Sequence, residues 1–197
     1  MRIRMMVGVM ALGACSMMAS AQMKSMDMPA KTAAGAVSPA KAMDDMLNMF
    51  EGELMGVAKA MPADKYDFAP SAAIFAAGQT PKFDTVRTFG QQVAHVAEAN
   101  YYVYSTLSGL TPDVDMKKIE TMTKKEDAVE VLAKSFAFAH KAIATITVAN
   151  AFETIKGAEG MHTRATLAAF GVAHGYNHYG QLVEYLRMNG IVPPGSK

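Results

Sequence analysis

The sequence predicts an all-α protein, a four-helix bundle with long crossover connections, on three observations. Apolar residues recur at spacings of three and four through four long segments, the period of one helix face. No segment alternates convincingly with period two, the mark of a half-buried strand. The length of 197 residues, 51% of them apolar and 19% charged, suits one domain with a real core.

The elements follow in order along the chain. Met1 to Gln22 carries Arg2 and Arg4, an apolar run from Met5 to Met18, and Ala19-Ser20-Ala21. These are the three parts of a secretory signal, expected over 1–21 with cleavage after Ala21. Leu12-Gly13-Ala14-Cys15 also resembles a lipobox, which would instead anchor the chain as a lipoprotein through Cys15. Export to the periplasm or medium is the expectation either way. Cys15 is the only cysteine, so cleavage after Ala21 excludes disulfides and thiolate ligands.

Residues 22–40 are small, polar and methionine-rich, without apolar period, and read as a disordered tether ahead of a domain spanning 41–194. The first helix is expected over Lys41–Met61, with Met43, Leu47, Phe50, Leu54 and Val57 inward. A long connection with Pro62, Pro70, Gly78 and Pro81 follows, and its aromatics Tyr66, Phe68, Phe75 and Phe83 must pack on the bundle to justify its length. The second helix is expected from Thr85 to Leu107. Thr123-Lys124-Lys125-Glu126 reads as a capping box opening the third, which runs to about Thr147. The fourth starts after Thr163 and ends at Met188, where Asn189-Gly190 supplies a left-handed cap and Pro193-Pro194 stops the helix. Crossovers fit before the second and third helices.

Charge excludes one function class. Lys and Arg total 19 against 18 Asp and Glu, and losing Arg2 and Arg4 with the leader leaves 17 against 18. No basic field exists to hold phosphates, so nucleic acid is not an expected partner. No continuous run reaches the ~18 to 20 apolar residues of a membrane span, so the mature chain is expected to lack a transmembrane helix.

Five histidines are the candidates for chemistry: His95, His140, His162, His174 and His178. His174 and His178 sit four apart on one helix, which places their β-carbons roughly 5 to 6 Å apart. That face also carries Leu167, Phe170, Leu182 and Tyr185, so both rings point inward. Two imidazoles side by side are either satisfied core residues or metal ligands. Gly175, Tyr176 and Asn177 fill the interval, so the glutamate of a zinc protease is missing and that class is excluded. A third ligand must come from another helix. His140 shares the stripe of Val129, Leu132, Phe136 and Ile143, while His95 falls roughly 140° from the centre of its own stripe, and the wheel leaves the choice between them open. His162, in a glycine-rich loop, is expected in solvent. Met23, Met26 and Met28 form a loose thioether cluster that suits monovalent copper or simply reflects a methionine-rich chain. Glu98, Asn100 and Gln181 could orient ligands, though caps and interhelix bonds explain such residues as well. Tyr101, Tyr102, Tyr176, Tyr179 and Tyr185 are expected to line a core or pocket.

Three blocks carry a family resemblance. They are Met61 to Pro70, Thr88 to Tyr101 with His95 inside it, and His174-Gly-Tyr-Asn-His178-Tyr-Gly-Gln-Leu-Val-Glu-Tyr-Leu-Arg through Pro194. Together, over about Lys41 to Pro194, the chain resembles the DinB-like superfamily. The resemblance implies a four-helix bundle holding one divalent metal, zinc or nickel, through His95, His174 and His178, with His140 outside the ligand set and homodimerisation as a family trait. Three neutral imidazoles leave a coordination position open, as catalytic sites do. The implied function is a metal-dependent hydrolase or thiol-dependent transferase acting on a small molecule of unknown identity. The alternative is a non-catalytic bundle that binds metal or a partner.

Overall fold

Five helices and one small hairpin make up the computed structural model, which describes residues 35–196. The expected leader, Cys15, the methionine cluster and most of the expected tether lie outside the described residues. Helix α1 spans Pro39–Ala60, α2 Phe89–Ser108, α3 Met116–Ile119, α4 Lys125–Ile143 and α5 Arg164–Met188. The four expected long helices are therefore α1, α2, α4 and α5, and α3 is a single added turn.

Local chemistry sets where each begins. Ser38 accepts from the Lys41 amide at 3.2 Å with Pro39 at the first helical position, so two residues expected in the tether belong to α1. The second helix starts later than expected, at Phe89. Thr88 and Gln91 form a reciprocal capping box, while Thr85 lies ahead of the helix at φ 69, a costly conformation for a β-branched residue. Thr163 and Thr166 form a second box at α5. The box expected at Thr123 does not form. Helix α4 begins after Lys124 with no side-chain cap, because the Thr123 backbone is held against the start of α2, its carbonyl in the space a side chain at Gly90 would occupy.

The long α1–α2 connection is pinned to the bundle at Tyr66 and Phe68, in its first half. Tyr66 is buried against Phe89, ring centroids 5.1 Å apart, and Phe68 meets Tyr185 edge-on at 5.7 Å. Their carbonyls accept from the first amides of α2, Tyr66 from Gly90 at 2.9 Å and Phe68 from Phe89 at 2.8 Å, satisfying donors that a helix start otherwise leaves orphaned. Phe75 and Phe83 pair with each other instead, with Phe75 exposed.

Helix α2 packs on α4 and α5, and so does α1. Neither α1 with α2 nor α4 with α5 shares an extensive face among the described residues, so these sequence neighbours sit diagonally. The crossings are thus α1 to α2 and α4 to α5. The segment before α4, expected to cross, joins adjacent helices.

The absence of strands in the expectation is corrected by the α4–α5 connection. Thr154–Ala158 (β1) and Met161–Thr163 (β2) pair antiparallel, with a register irregularity between the Thr154–Thr163 and Ala158–Met161 pairs. Glu159 (φ 51) and Gly160 (φ 76) make the two-residue turn, both in the left-handed region that a type I′ hairpin demands. At Gly157 an added Cβ would stand 1.5 Å from the Met161 carbonyl oxygen, so this strand pair closes only around glycine.

The core between the helices is mostly apolar, with Phe50, Leu54, Phe89, Val96, Leu132, Phe136 and Leu182 fully buried and Gln92, Asn100, Ser135 and His178 as its buried polar members. No helix among the described residues is long and apolar enough to cross a membrane.

Candidate metal centre

Helix α2 buries two faces, one on α4 and one on α5, which is why a single-stripe wheel misplaces His95. The ring projects from the α5 side and meets His174 and His178 with centroids 5.4 and 4.8 Å away, while those two lie 4.6 Å apart. One nitrogen from each of the three falls within 4.8 Å of the others. Of the two histidines the wheel left open, His95 is the one that lies beside the α5 pair.

Close helix packing sets up the α5 pair. Gly175, between the two histidines, faces α1, where an added Cβ would stand 2.0 Å from the Phe50 ring. That contact turns the opposite side of this turn toward α2.

A buried amide fixes one ring. Gln92 donates through Nε2 to Gln181 Oε1 at 2.6 Å, so its own Oε1 faces His178 Nδ1 at 2.8 Å and accepts that proton. His178 Nε2 is left with a lone pair aimed at His174 Nε2, 3.3 Å away. Gln92 is only 3% exposed, so this arrangement is not exchanged for water. An outer hydrogen bond of this kind selects tautomer and orientation in histidine metal sites. Gln181 thus takes an orienting role, at one remove, whereas Asn100 makes the plain interhelix bond, donating to Ser135 Oγ at 3.1 Å.

Positive charge is disfavoured on all three rings. Burial, then the Arg87 charge and His174, push His95 down to about 4. Burial followed by its two neighbours and Arg87 does the same to His178, also to about 4. His174 is lowered by burial, partly offset by Glu159. Three imidazoles with their charged forms disfavoured and one nitrogen of each within 4.8 Å of the others are a donor set that suits a divalent ion, so the residues fit one. Glu98 Oε2 lies 3.7 Å from His95 Nδ1, beyond hydrogen-bond range, and its carboxyl is raised by burial and by Glu120.

Two recesses flank the triad. One, of about 350 Å³, is lined by His95, His174, Glu98, Ala99, Tyr102, Val103, Met116, Glu159 and Phe170. The other, of about 400 Å³, is more polar and includes Thr85, Arg87, Gln91, His95, Glu98 and Glu120. Glu159 is a site residue the sequence reading missed. Its signal was the Glu-Gly step between short β-prone stretches.

The other histidines lie elsewhere. His140 sits on the α1–α4 seam, with Nδ1 2.5 Å from Asp44 Oδ1 and Nε2 2.9 Å from Glu51 Oε2. Burial alone would lower its pKa, but hydrogen bonds to Asp44 and Glu51 and their charges together raise it. His162 is exposed, as expected, but on β2. Of the tyrosines, Tyr101 and Tyr185 are buried and Tyr102 is exposed at the apolar recess.

No curated protein matches the chain. The family model of the DinB superfamily matches residues 47–182, a span that holds all three converging histidines, and the chain belongs to that superfamily.

Proposed function

We propose that the chain binds one divalent metal, zinc or nickel, through His95, His174 and His178, and acts as an exported metal-dependent hydrolase or thiol-dependent transferase on a small molecule. The observation that carries this reading is the convergence of three uncharged imidazoles beside two recesses, with His178 locked by Gln92 so that its lone pair faces His174. A bound divalent ion there supplies Lewis acidity and lowers the pKa of a water or thiol ligand. The chain's own part is orientation and access. Gln92 and Gln181 hold His178, while Glu98 faces both recesses and is the carboxylate placed to exchange a proton with a molecule bound in either. Export rests on the leader-like residues 1–21.

Elemental analysis of the tag-free protein, beside the triple His95→Ala, His174→Ala, His178→Ala variant, tests the reading. About one metal per chain in the first and none in the second is the expected result. A wild type that stays empty after exposure to zinc, nickel, manganese, iron and copper overturns it. Retention of metal by the triple variant overturns the ligand set.

A further inference from the structure

The two recesses beside the triad differ in chemistry. The walls of the 350 Å³ recess are mostly carbon, from Ala99, Tyr102, Val103, Met116 and Phe170. Tyr102 keeps 48% of its surface exposed there, and the Phe170 ring runs on from His174 with centroids 5.8 Å apart. Burying so much apolar wall is favourable for an apolar guest of ring size. The only full charges on the walls are two carboxylates, Glu98 from α2 and Glu159 from the hairpin turn. Arg87 lines the other recess. An anionic guest would therefore face like charge in a partly desolvated pocket, and a neutral or cationic one would not.

We propose that this recess receives the apolar, ring-sized arm of a substrate that is neutral or cationic, with its reacting end turned to His95 and His174. The identification of that end as the reacting one rests on the metal-site reading above; occupancy of the recess by the arm does not. The guest class is thus arylalkyl amines, alcohols or their neutral derivatives, and aryl carboxylates are disfavoured.

Methyl-resolved NMR on the full chain, with and without added zinc, provides the test. Benzylamine, methylamine and benzoate are titrated in turn while the methyl signals of Met116 and Val103 are followed. In the zinc-free sample benzylamine should shift both saturably, and benzoate should bind about tenfold more weakly. Methylamine, which lacks the arm, should produce no saturable shift. Ala99→Phe, which fills the recess from a half-buried position, should abolish the benzylamine shifts. Tyr102→Ala, at an exposed position that leaves the core untouched, should weaken them several-fold. Without zinc, benzoate matching benzylamine, methylamine matching it, or no saturable shift with any probe overturns the inference. The shifts in the zinc-free sample do not depend on an ion, so their failure is separate from a failure of metal uptake, which overturns the metal reading alone.

Discussion

Two histidine-bearing seams run through this bundle, and they treat the same side chain in opposite ways. On the α2–α5 seam three imidazoles face one another, and His95 and His178 are pushed down to about 4, each first by burial and then by neighbouring positive or titratable groups. On the α1–α4 seam His140 is exposed to almost the same degree as His95, 26% against 25% of the side chain, yet it is raised. The difference lies in the partners. His140 donates from both nitrogens to Asp44 and Glu51, an arrangement that requires the imidazolium, whereas His178 meets an amide oxygen on one side and another imidazole on the other. Burial of a histidine therefore says little about its role. The first atoms around each nitrogen decide whether it serves as an ionic clamp or as a lone-pair donor.

Ligand removal should separate the seams most sharply. Single alanine substitutions at His95, His174 or His178 are expected to weaken zinc binding by more than about 100-fold, the upper end for outer partners of a metal ligand. His140→Ala should leave the metal content unchanged. Chelator competition on the four variants measures this, and a loss of metal in His140→Ala would merge two sites that the geometry keeps apart.

Replacing the amide behind the site comes next. Gln92→Leu removes the acceptor for His178 Nδ1–H and leaves Gln181 without its donor, so zinc affinity should fall about 10- to 100-fold. Gln92→Glu restores an acceptor at the same place and should recover most of that loss. Equal affinity in wild type and Gln92→Leu would assign the amide to packing alone.

Much of this was legible in the sequence, for reasons that differ by residue. The pair His174 and His178 could be read because both lie on one helix, where spacing fixes the face. His95 could be reached only through the family pattern, since α2 buries two faces and a single wheel averages them. Conversely, the wheel was right that His140 points inward but could not tell which seam it enters, because that depends on α1 supplying Asp44 and Glu51. Glu159 and Gln92 went unread for a further reason. The first rides on a hairpin whose strands are too short to show a period, and the second is one of many glutamines until Gln181 and His178 are brought to it.

The clamp should respond to pH in a direction opposite to acid sensitivity. His140 has its pKa raised on folding, so its stabilising contribution is complete below the ~6.5 of an unfolded imidazole and is lost as pH climbs through the higher folded value. His140→Gln, which cannot carry the charge, should cost about 1 kcal/mol in that acidic window, a modest figure because both carboxylates keep access to water. Thermal unfolding of the two proteins across pH should show curves that converge on the alkaline side. Convergence on the acidic side instead would reverse the assigned protonation state.

The smallest expected effect concerns how the two seams are started rather than what they hold. Both helices that carry the histidine triad open with a closed capping box, Thr88 with Gln91 and Thr163 with Thr166, whereas α4 starts with no side-chain cap. Thr88→Ala and Thr163→Ala should each lower stability by about 1 kcal/mol. Thr123→Ala, at the box the sequence suggests but the fold does not close, should stay within ~0.5 kcal/mol of wild type. Denaturant midpoints for the three variants decide the matter. An equal cost at Thr123 would mean that α4 is capped in solution after all, and that the reciprocal box is not confined to the helices that aim the histidines.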